Sequence, residues 1–341
     1  MRKYFTHDDP VVPLHHPRIV VETAIEQGAD RRALLKGTGI SEAMLESPDA
    51  RISYVQFGML VRNALALSGN PALGIDVGKR LHLPALGMVG LAIMSTSTMR
   101  EALDAGLRHY KRIAPAFDLS IEIEATTARF VVRESVPTAP FQAFATETLL
   151  VAYALQARAL LGKPLPVRRV QLAYPRPSYA ERYDEIYDVP YTFDAATTWV
   201  ELDASFLNER LAYGDPASAK LAEQYFAEHP LPAHESDGLV LQVRRRILAA
   251  AGKAPEVAHI ARELQTSERS LRRALQELGT SYQELLDEVR RERALEWTRS
   301  TNMPFDQVAS QLGFSDVRSF RRAFKRWTGR TPSELREEAR S

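Results

Sequence analysis

Arginine carries a fixed positive charge and five donors in a planar fork, and this chain sets six arginines in two matching words. Arg269-Ser270-Leu271-Arg272-Arg273-Ala274-Leu275 and Arg318-Ser319-Phe320-Arg321-Arg322-Ala323-Phe324 lie 49 residues apart, with five positions identical. Residues at i, i+3 and i+4 share a helical face. Leu271, Ala274 and Leu275, like Phe320, Ala323 and Phe324, therefore form an apolar stripe and leave the arginines on the opposite side. Two short helices with three guanidinium groups each suit a polyanion read twice, most simply double-stranded DNA. There such groups pair with guanine O6 and N7 or neutralise phosphate.

The residues around each word say what must position it. Ile260-Ala261 and Leu264 recur as Val308-Ala309 and Leu312, and Ser267 recurs as Ser315. Each copy reads as a helix with a small alanine at mid-length, a tight turn, a serine cap and the arginine helix. That is a helix-turn-helix layout, over 256–277 and 304–327, whose N-terminal turns (268–273 and 316–322) would meet base edges. Between them, 281–299 reads as one helix, nearly 30 Å long at ~1.5 Å per residue. That length suits successive major grooves, ~34 Å apart. The copies differ at the turn, where Gln265 stands in the place of Gly313. A left-handed residue there costs a non-glycine ~1 kcal/mol, so the first unit is expected to be the less regular and to add less specificity.

Charge separates this region from the rest. Residues 239–341 hold 20 basic and 14 acidic side chains, whereas the remaining 238 residues hold 24 and 29. A basic tail on an acidic body confines nucleic-acid binding to the tail. The chain has no cysteine, which removes disulfides and thiolate chemistry. No apolar run approaches the ~18 residues of a membrane span, and Met1 to Pro17 shows no signal-peptide core; a cytoplasmic protein without membrane contact is expected. The eight histidines are scattered, with His15-His16 adjacent rather than at metal-ligand spacing. Gly74 to Arg80 lacks the spacing and the Ser/Thr of a phosphate loop, and no Gly-x-Ser-x-Gly elbow is present. No metal, no cofactor and no catalytic group is therefore assigned. Trp297, Trp327, Phe314 and Phe324 fall at core spacing rather than as base-stacking groups. Arg244-Arg245-Arg246 reads as a solvated helix face or a phosphate clamp.

Upstream the pattern changes. Residues 18–105 are mostly helical, with Thr98 and Glu101 at capping-box spacing. Leu119 to Ile123 and Ala128 to Val132 alternate as a hairpin. A strong helix over 141–161 follows, then strand candidates at 170–174, 191–193 and 198–202 with a helix at 179–187 between them. The result is an α+β N-terminal domain (18–210) with a small antiparallel sheet. A linker with one helix (211–237) joins it to an all-α C-terminal domain (238–337), two helix-turn-helix units on a long helix. Arg108, Tyr110 and Arg112, running into the hairpin, could meet an anionic or polyol effector in a pocket lined by Phe117, Phe130 and Tyr153; a salt-bridged helix end is the plainer alternative.

Residues 255–337 resemble the DNA-binding domain of AraC/XylS-family transcription regulators. The most specific stretch runs from Val308-Ala309-Ser310-Gln311-Leu312-Gly313-Phe314-Ser315 to Phe320 and on through Gly329-Arg330-Thr331-Pro332. Residues 18–210 resemble the arabinose-binding-type sensor domain of members related to ornithine-utilisation regulators, through Leu73 to Gly78, Leu86 to Gly90 and Tyr183…Pro190-Tyr191-Thr192-Phe193. Thr197-Thr198 departs from that pattern, where many relatives carry asparagine. The resemblance implies a homodimer under small-molecule control that activates by contact with RNA polymerase. It places Arg269, Arg272, Arg318 and Arg321 toward bases, and Arg273 and Arg322 toward the backbone. The rivals are a ligand-independent regulator whose N-terminal domain only dimerises, and an enzyme with a DNA-binding tail.

Overall fold

The computed structural model describes residues 10–47, 50–113, 116–134, 138, 140–229, 238–250, 255–300 and 303–338. They divide into two units, one built from Asp8–Glu134 and Phe141–Leu231, the other carrying Pro232–Ser341.

In the first unit β1 (Val12–Pro13) pairs antiparallel with β2 (Arg51–Ile52). Around them run α1 (His15–Glu26), α2 (Arg31–Leu35), α3 (Glu42–Glu46) and α4 (Tyr54–Ser68). Asp30, Ser41 and Ser53 start α2, α3 and α4 by accepting from the amides of Ala33, Met44 and Gln56. Then come α5 (Leu73–Arg80), α6 (Met88–Met94) and α7 (Met99–His109). Thr98 caps α7 through the Glu101 amide, while Glu101 turns back to the amide of Ser97.

The expected hairpin forms from β3 (Phe117–Glu124) and β4 (Thr127–Glu134). After α8 (Gln142–Leu161) come β5 (Val167–Gln171), β6 (Tyr191–Thr192) and β7 (Thr198–Asp203). The sheet order is β3-β4-β7-β5-β6, antiparallel except for the short β6, which pairs parallel with β5 at the edge. The 179–187 helix is a single 3-10 stretch, Ala180–Glu185. Ala128, Phe130, Val132, Val200 and Leu202 bury one face of the sheet.

Glycines decide how closely α5 lies on α8. A Cβ at Gly74 would stand 2.7 Å from both the Phe144 carbonyl and Glu147 Oε2. At Gly78, one turn on, it would stand 2.8 Å from Val151 Cβ and 2.9 Å from the Thr148 carbonyl. Thr148 exploits the approach by donating to the Gly74 carbonyl at 3.1 Å.

One boundary needs correcting. The helix in the presumed linker, α9 (Pro216–Glu228), belongs to the N-terminal unit: Ala222 and Phe226 pack with Val89, Ala92 and Ile113. Asp215 caps it through the Ala217 and Ser218 amides. Its Pro and Gly neighbours look like linker, yet its apolar positions at i and i+4 are those of a packed helix. Residues 230–237 of that segment lie outside the described residues.

The second unit is all helical: α10 (Gly238–Ala249), α11 (Val257–Glu263), α12 (Glu268–Glu277), α13 (Tyr282–Ser300), α14 (Phe305–Gln311), α15 (Val317–Thr328) and α16 (Pro332–Glu338). It has two cores. Leu271 and Leu275 of α12 pack with Val243 and Ile247 of α10 and with Leu285, Leu286 and Val289 of α13. Phe320 and Phe324 of α15 pack with Val308, Leu312, Leu335 and Ala294, which lies farther along α13.

The α5–α8 contact is a test of the packing. Gly78→Ala forces a methyl onto a backbone carbonyl and a β-branched side chain, so it should destabilise the N-terminal unit by ~1–3 kcal/mol. Urea unfolding of the full chain measures this, and an unchanged midpoint would show that the seam has slack.

Candidate DNA interface and sensor-unit network

The two helix-turn-helix units close in the same way. Thr266 donates its amide to the Ala261 carbonyl and Phe314 donates to the Ala309 carbonyl, both at 2.9 Å. The alanines are buried and let the turn fold against the first helix. Gln265 has φ 54° and Gly313 φ 73°, so the first unit does adopt the left-handed turn with a side chain that disfavours it. Ser267 caps α12 through the Ser270 amide at 3.1 Å. The cap of α15 is Asp316, not Ser315: its carboxylate accepts from the Ser319 amide at 2.7 Å, and the helix starts at Val317. The inserted residue of the second copy lies before this cap, which puts Asp316 rather than Ser315 in line with Ser267.

Arg269, Arg272, Arg273, Arg318, Arg321 and Arg322 are all exposed, while Leu271, Leu275, Phe320, Ala323 and Phe324 are buried. The faces divide as the periodicity predicts, with Ala274 half-buried. Ser270 and Ser319 serve the caps: Ser267 Oγ donates to Ser270 Oγ, and Ser319 Oγ donates to the Asp316 carboxylate, both at 2.9 Å. The helices differ in charge. In α12, Arg272 pairs with Glu268 at 2.8 Å and Arg273 with Glu277 at 3.6 Å. In α15 Arg321 lies 5.9 Å from the Phe305 ring centre and Arg322 reaches Ser319 Oγ at 3.4 Å; Lys325 extends the cationic surface, while Arg326 pairs with Asp287 of α13 at 3.1 Å. Phe314, Phe324, Trp297 and Trp327 belong to the second core.

Arg244 is neither solvated nor a phosphate clamp. It is 2% exposed and pairs with Glu288 at 3.0 Å and Glu292 at 2.7 Å, joining α10 to α13. Arg246 pairs with Glu263 of α11 at 2.8 Å; the Arg245 side chain lies outside the described residues.

The proposed effector residues separate into two groups. Tyr110, Phe130 and Tyr153 come together, with ring centres 6.4 Å (Tyr110–Tyr153) and 5.1 Å (Phe130–Tyr153) apart. Phe117 is buried at the start of β3. The Tyr110 hydroxyl is buried without a hydrogen-bond partner among the described residues, and burial raises its pKa well above the ordinary tyrosine value. Arg108 and Arg112 face α9 instead. Arg108 pairs with Glu223 at 2.8 Å, and Arg112 donates to the His229 carbonyl at 2.7 Å and stacks over Phe226.

A second network was not singled out in the sequence. Glu147 of α8 is 2% exposed and accepts from Tyr183 at 2.6 Å and Tyr179 at 2.8 Å. Tyr183 shares a 3.1 Å bond with Tyr174 and stacks among Tyr191 and Phe193. Burial lifts the Glu147 carboxyl to about 7, against the opposing pull of the two phenols. Asp76 of α5 accepts from Gln27, Asn70 and Arg182. The N-terminal motifs at 73–78 and 183–193 thus converge on one buried acid. The available signal was that Glu147 is the lone charge between Phe141 and Ala157.

Two turn-closed units on a shared rod, each presenting a cationic helix, define a DNA-binding regulator. A family model described as the arabinose-binding domain of AraC transcription regulators matches residues 28–211, and a helix-turn-helix domain model matches 260–338. The chain belongs to the AraC family of transcription regulators. It is similar to the ornithine utilization regulator of Pseudomonas aeruginosa, 36% identical over 96% of each chain. It is also similar to an uncharacterized HTH-type transcriptional regulator of Mycobacterium tuberculosis, 29% identical over 96% of this chain and 98% of that one. Among solved structures, the transcriptional regulator CdpR from Pseudomonas aeruginosa is 27% identical over 81% of this chain and 90% of that one, with a TM-score of 0.42. No helix among the described residues is long and apolar enough to cross a membrane.

Glu147 makes the N-terminal unit sensitive to pH. A carboxyl held near 7 when folded and near 4.5 when unfolded binds its proton more tightly in the native state. Stability should therefore fall as pH rises from about 4.5 to about 7, by ~3 kcal/mol, and stay at the lower level above that. Glu147→Gln keeps an acceptor for the tyrosines without the charge. Its advantage over the wild type in unfolding midpoint should grow from pH 5 to pH 7.5; a difference constant with pH would contradict the burial effect.

Proposed function

We propose that this regulator reads a bipartite promoter site with α12 and α15 and is switched by a small molecule in its N-terminal unit. The observation that supports the DNA contact is the pair of exposed arginine faces, each behind a capped N-terminus and backed by a buried stripe. Arg269, Arg272, Arg318 and Arg321 take the base edges, and Arg273 and Arg322 hold phosphate. Arginine forks pair bidentately with guanine, at ~1–3 kcal/mol of discrimination per pair. Family membership favours a homodimer that activates transcription through RNA polymerase.

Arg321→Ala and Arg272→Ala, assayed on the native promoter by mobility shift, should each weaken specific binding about tenfold or more while leaving non-specific binding nearly intact. Arg322→Ala should weaken both and flatten the salt dependence by about one unit of log–log slope. Specific binding unchanged in both the Arg321 and Arg272 variants would sink the assignment.

The effector reading rests on the buried Tyr110 hydroxyl beside Phe130 and Tyr153, which has no hydrogen-bond partner among the described residues. Such a group favours a ligand with an acceptor oxygen on a partly apolar body. The name of the similar ornithine utilization regulator makes ornithine and related amino acids the first compounds to try. A thermal-shift screen should find a metabolite that stabilises the wild type, by ~2.7 kcal/mol at 100 times its Kd, with the effect reduced in Tyr110→Phe. If no metabolite stabilises the chain, the N-terminal unit dimerises without sensing.

A further inference from the structure

Polar side chains of the connecting helix hold the turn that leads into the second reading helix and the far end of that helix; among the described residues none does so for the first. At the entry to α15, Arg290 of α13 donates from Nε to the Leu312 carbonyl at 2.8 Å and from Nη2 to the Gly313 carbonyl at 3.3 Å. Its guanidinium lies 4.9 Å from the centre of the Phe314 ring. Leu312 is the C-cap of α14, so these are terminal carbonyls that the helix itself leaves without partners. A cation at that position also meets the negative end of the helix. At the far end of α15, Arg326 pairs with Asp287 of α13 at 3.1 Å. Asp287 and Arg290 are three residues apart and so share one face of α13.

The first unit lacks this arrangement. Its turn has the same backbone closure, yet among the described residues no side chain donates to the equivalent carbonyls of Leu264 and Gln265. Arg272 and Arg273 of α12 pair within their own helix. What joins α12 to α13 is apolar contact of Leu271 and Leu275 with Leu285, Leu286 and Val289. Apolar packing is non-directional, whereas a planar fork on two carbonyls fixes both distance and angle.

We propose that Arg290, seconded by Asp287, is a positioning residue that sets the angle of the second reading helix on α13 and so fixes the operator spacing this regulator accepts. The inference rests on the reading of α12 and α15 as the groove-facing helices. One base pair inserted between half-sites rotates one relative to the other by about 34° and shifts it by about 3.4 Å. A rigid second head resists that change, and a released head follows it.

The test uses the full-length chain and an operator selected by it from randomised DNA, with zero, one or two base pairs inserted or removed between the half-sites. For the wild type one inserted pair should cost about tenfold or more in affinity. In Arg290→Ala and Arg290→Lys that penalty should shrink to about threefold, and Asp287→Asn should show a smaller relaxation in the same direction. Lysine keeps the charge but loses the fork, which separates positioning from phosphate contact. Uniform weakening at every spacing, restored by lysine, would mean that Arg290 only neutralises phosphate and would overturn the proposal; an unchanged spacing penalty would overturn it too. Should Arg290→Ala fail to fold, the lysine and Asp287→Asn variants carry the decision. Arg321→Ala is run alongside: if it keeps full specific binding, the groove-facing reading itself fails, whatever Arg290 does.

Discussion

In the DNA-binding unit everything depends on α13 serving two hydrophobic cores in turn. Its first half supplies Leu285, Leu286 and Val289 to one core, and Ala294 lies in the other. A short helix-turn-helix buries too little surface to stand alone, so each unit borrows one half of a common rod. The separation of α12 and α15 is then a property of one helix rather than of a loop. The buried Arg244 triad follows from the same constraint. It adds a directional tie between α10 and the middle of α13, at Glu288 and Glu292. Such a tie adds little net stability, but it is destabilising to break because the remaining charge is left buried.

The N-terminal unit depends on a different economy, the close approach of α5 to α8. Gly74 and Gly78 remove the side chains that would hold the helices apart, and the space is taken by the Glu147 carboxyl and by the backbone of α8. A buried acid requires hydrogen bonds or a proton. Tyr179 and Tyr183 supply the first from the 3-10 stretch and its approach. Glycine seam, acid and tyrosines therefore form one structural unit drawn from three distant parts of the chain. The same logic sets the Tyr110 hydroxyl apart: it is as deeply buried and has no comparable partner among the described residues.

What could be read in the sequence was local. The doubled heptad, the mid-helix alanines, the left-handed turn residue and the hairpin all reside within a few residues of one another, and each has its own stereochemical rule. Three features escaped for the same physical reason, that their meaning lies elsewhere in the chain. Arg244 looks like part of a surface run until Glu288 and Glu292 fold onto it. Glu147 is the lone charge between Phe141 and Ala157, but its tyrosine partners lie more than thirty residues away. β6 falls on the strand candidate at 191–193, but its parallel pairing with β5 has no local signal, because the partner strand lies about twenty residues earlier. Two errors were of another kind, local ambiguity. Ser315 and Asp316 are both good caps and are adjacent, and α9 is flanked by residues that signal a linker.

The two copies of the arginine word are therefore not equivalent, and their differences run in one direction. The second copy has glycine at the turn, an acidic cap, a helix whose cations exceed its carboxylates and polar anchors at both ends. The first has Gln265 at φ 54°, a serine cap, arginines offset by Glu268 and Glu277 and an apolar seat. Strain and loose anchoring in one copy would be a defect if both had to be rigid. Two heads on one rod need one fixed reference to hold the accepted spacing, and the apolar seat of the other leaves room only for adjustments smaller than the turn of a whole base pair, about 34°. A duplex varies in twist from sequence to sequence, so a fixed head paired with an adaptable one suits the polymer better than two identical heads.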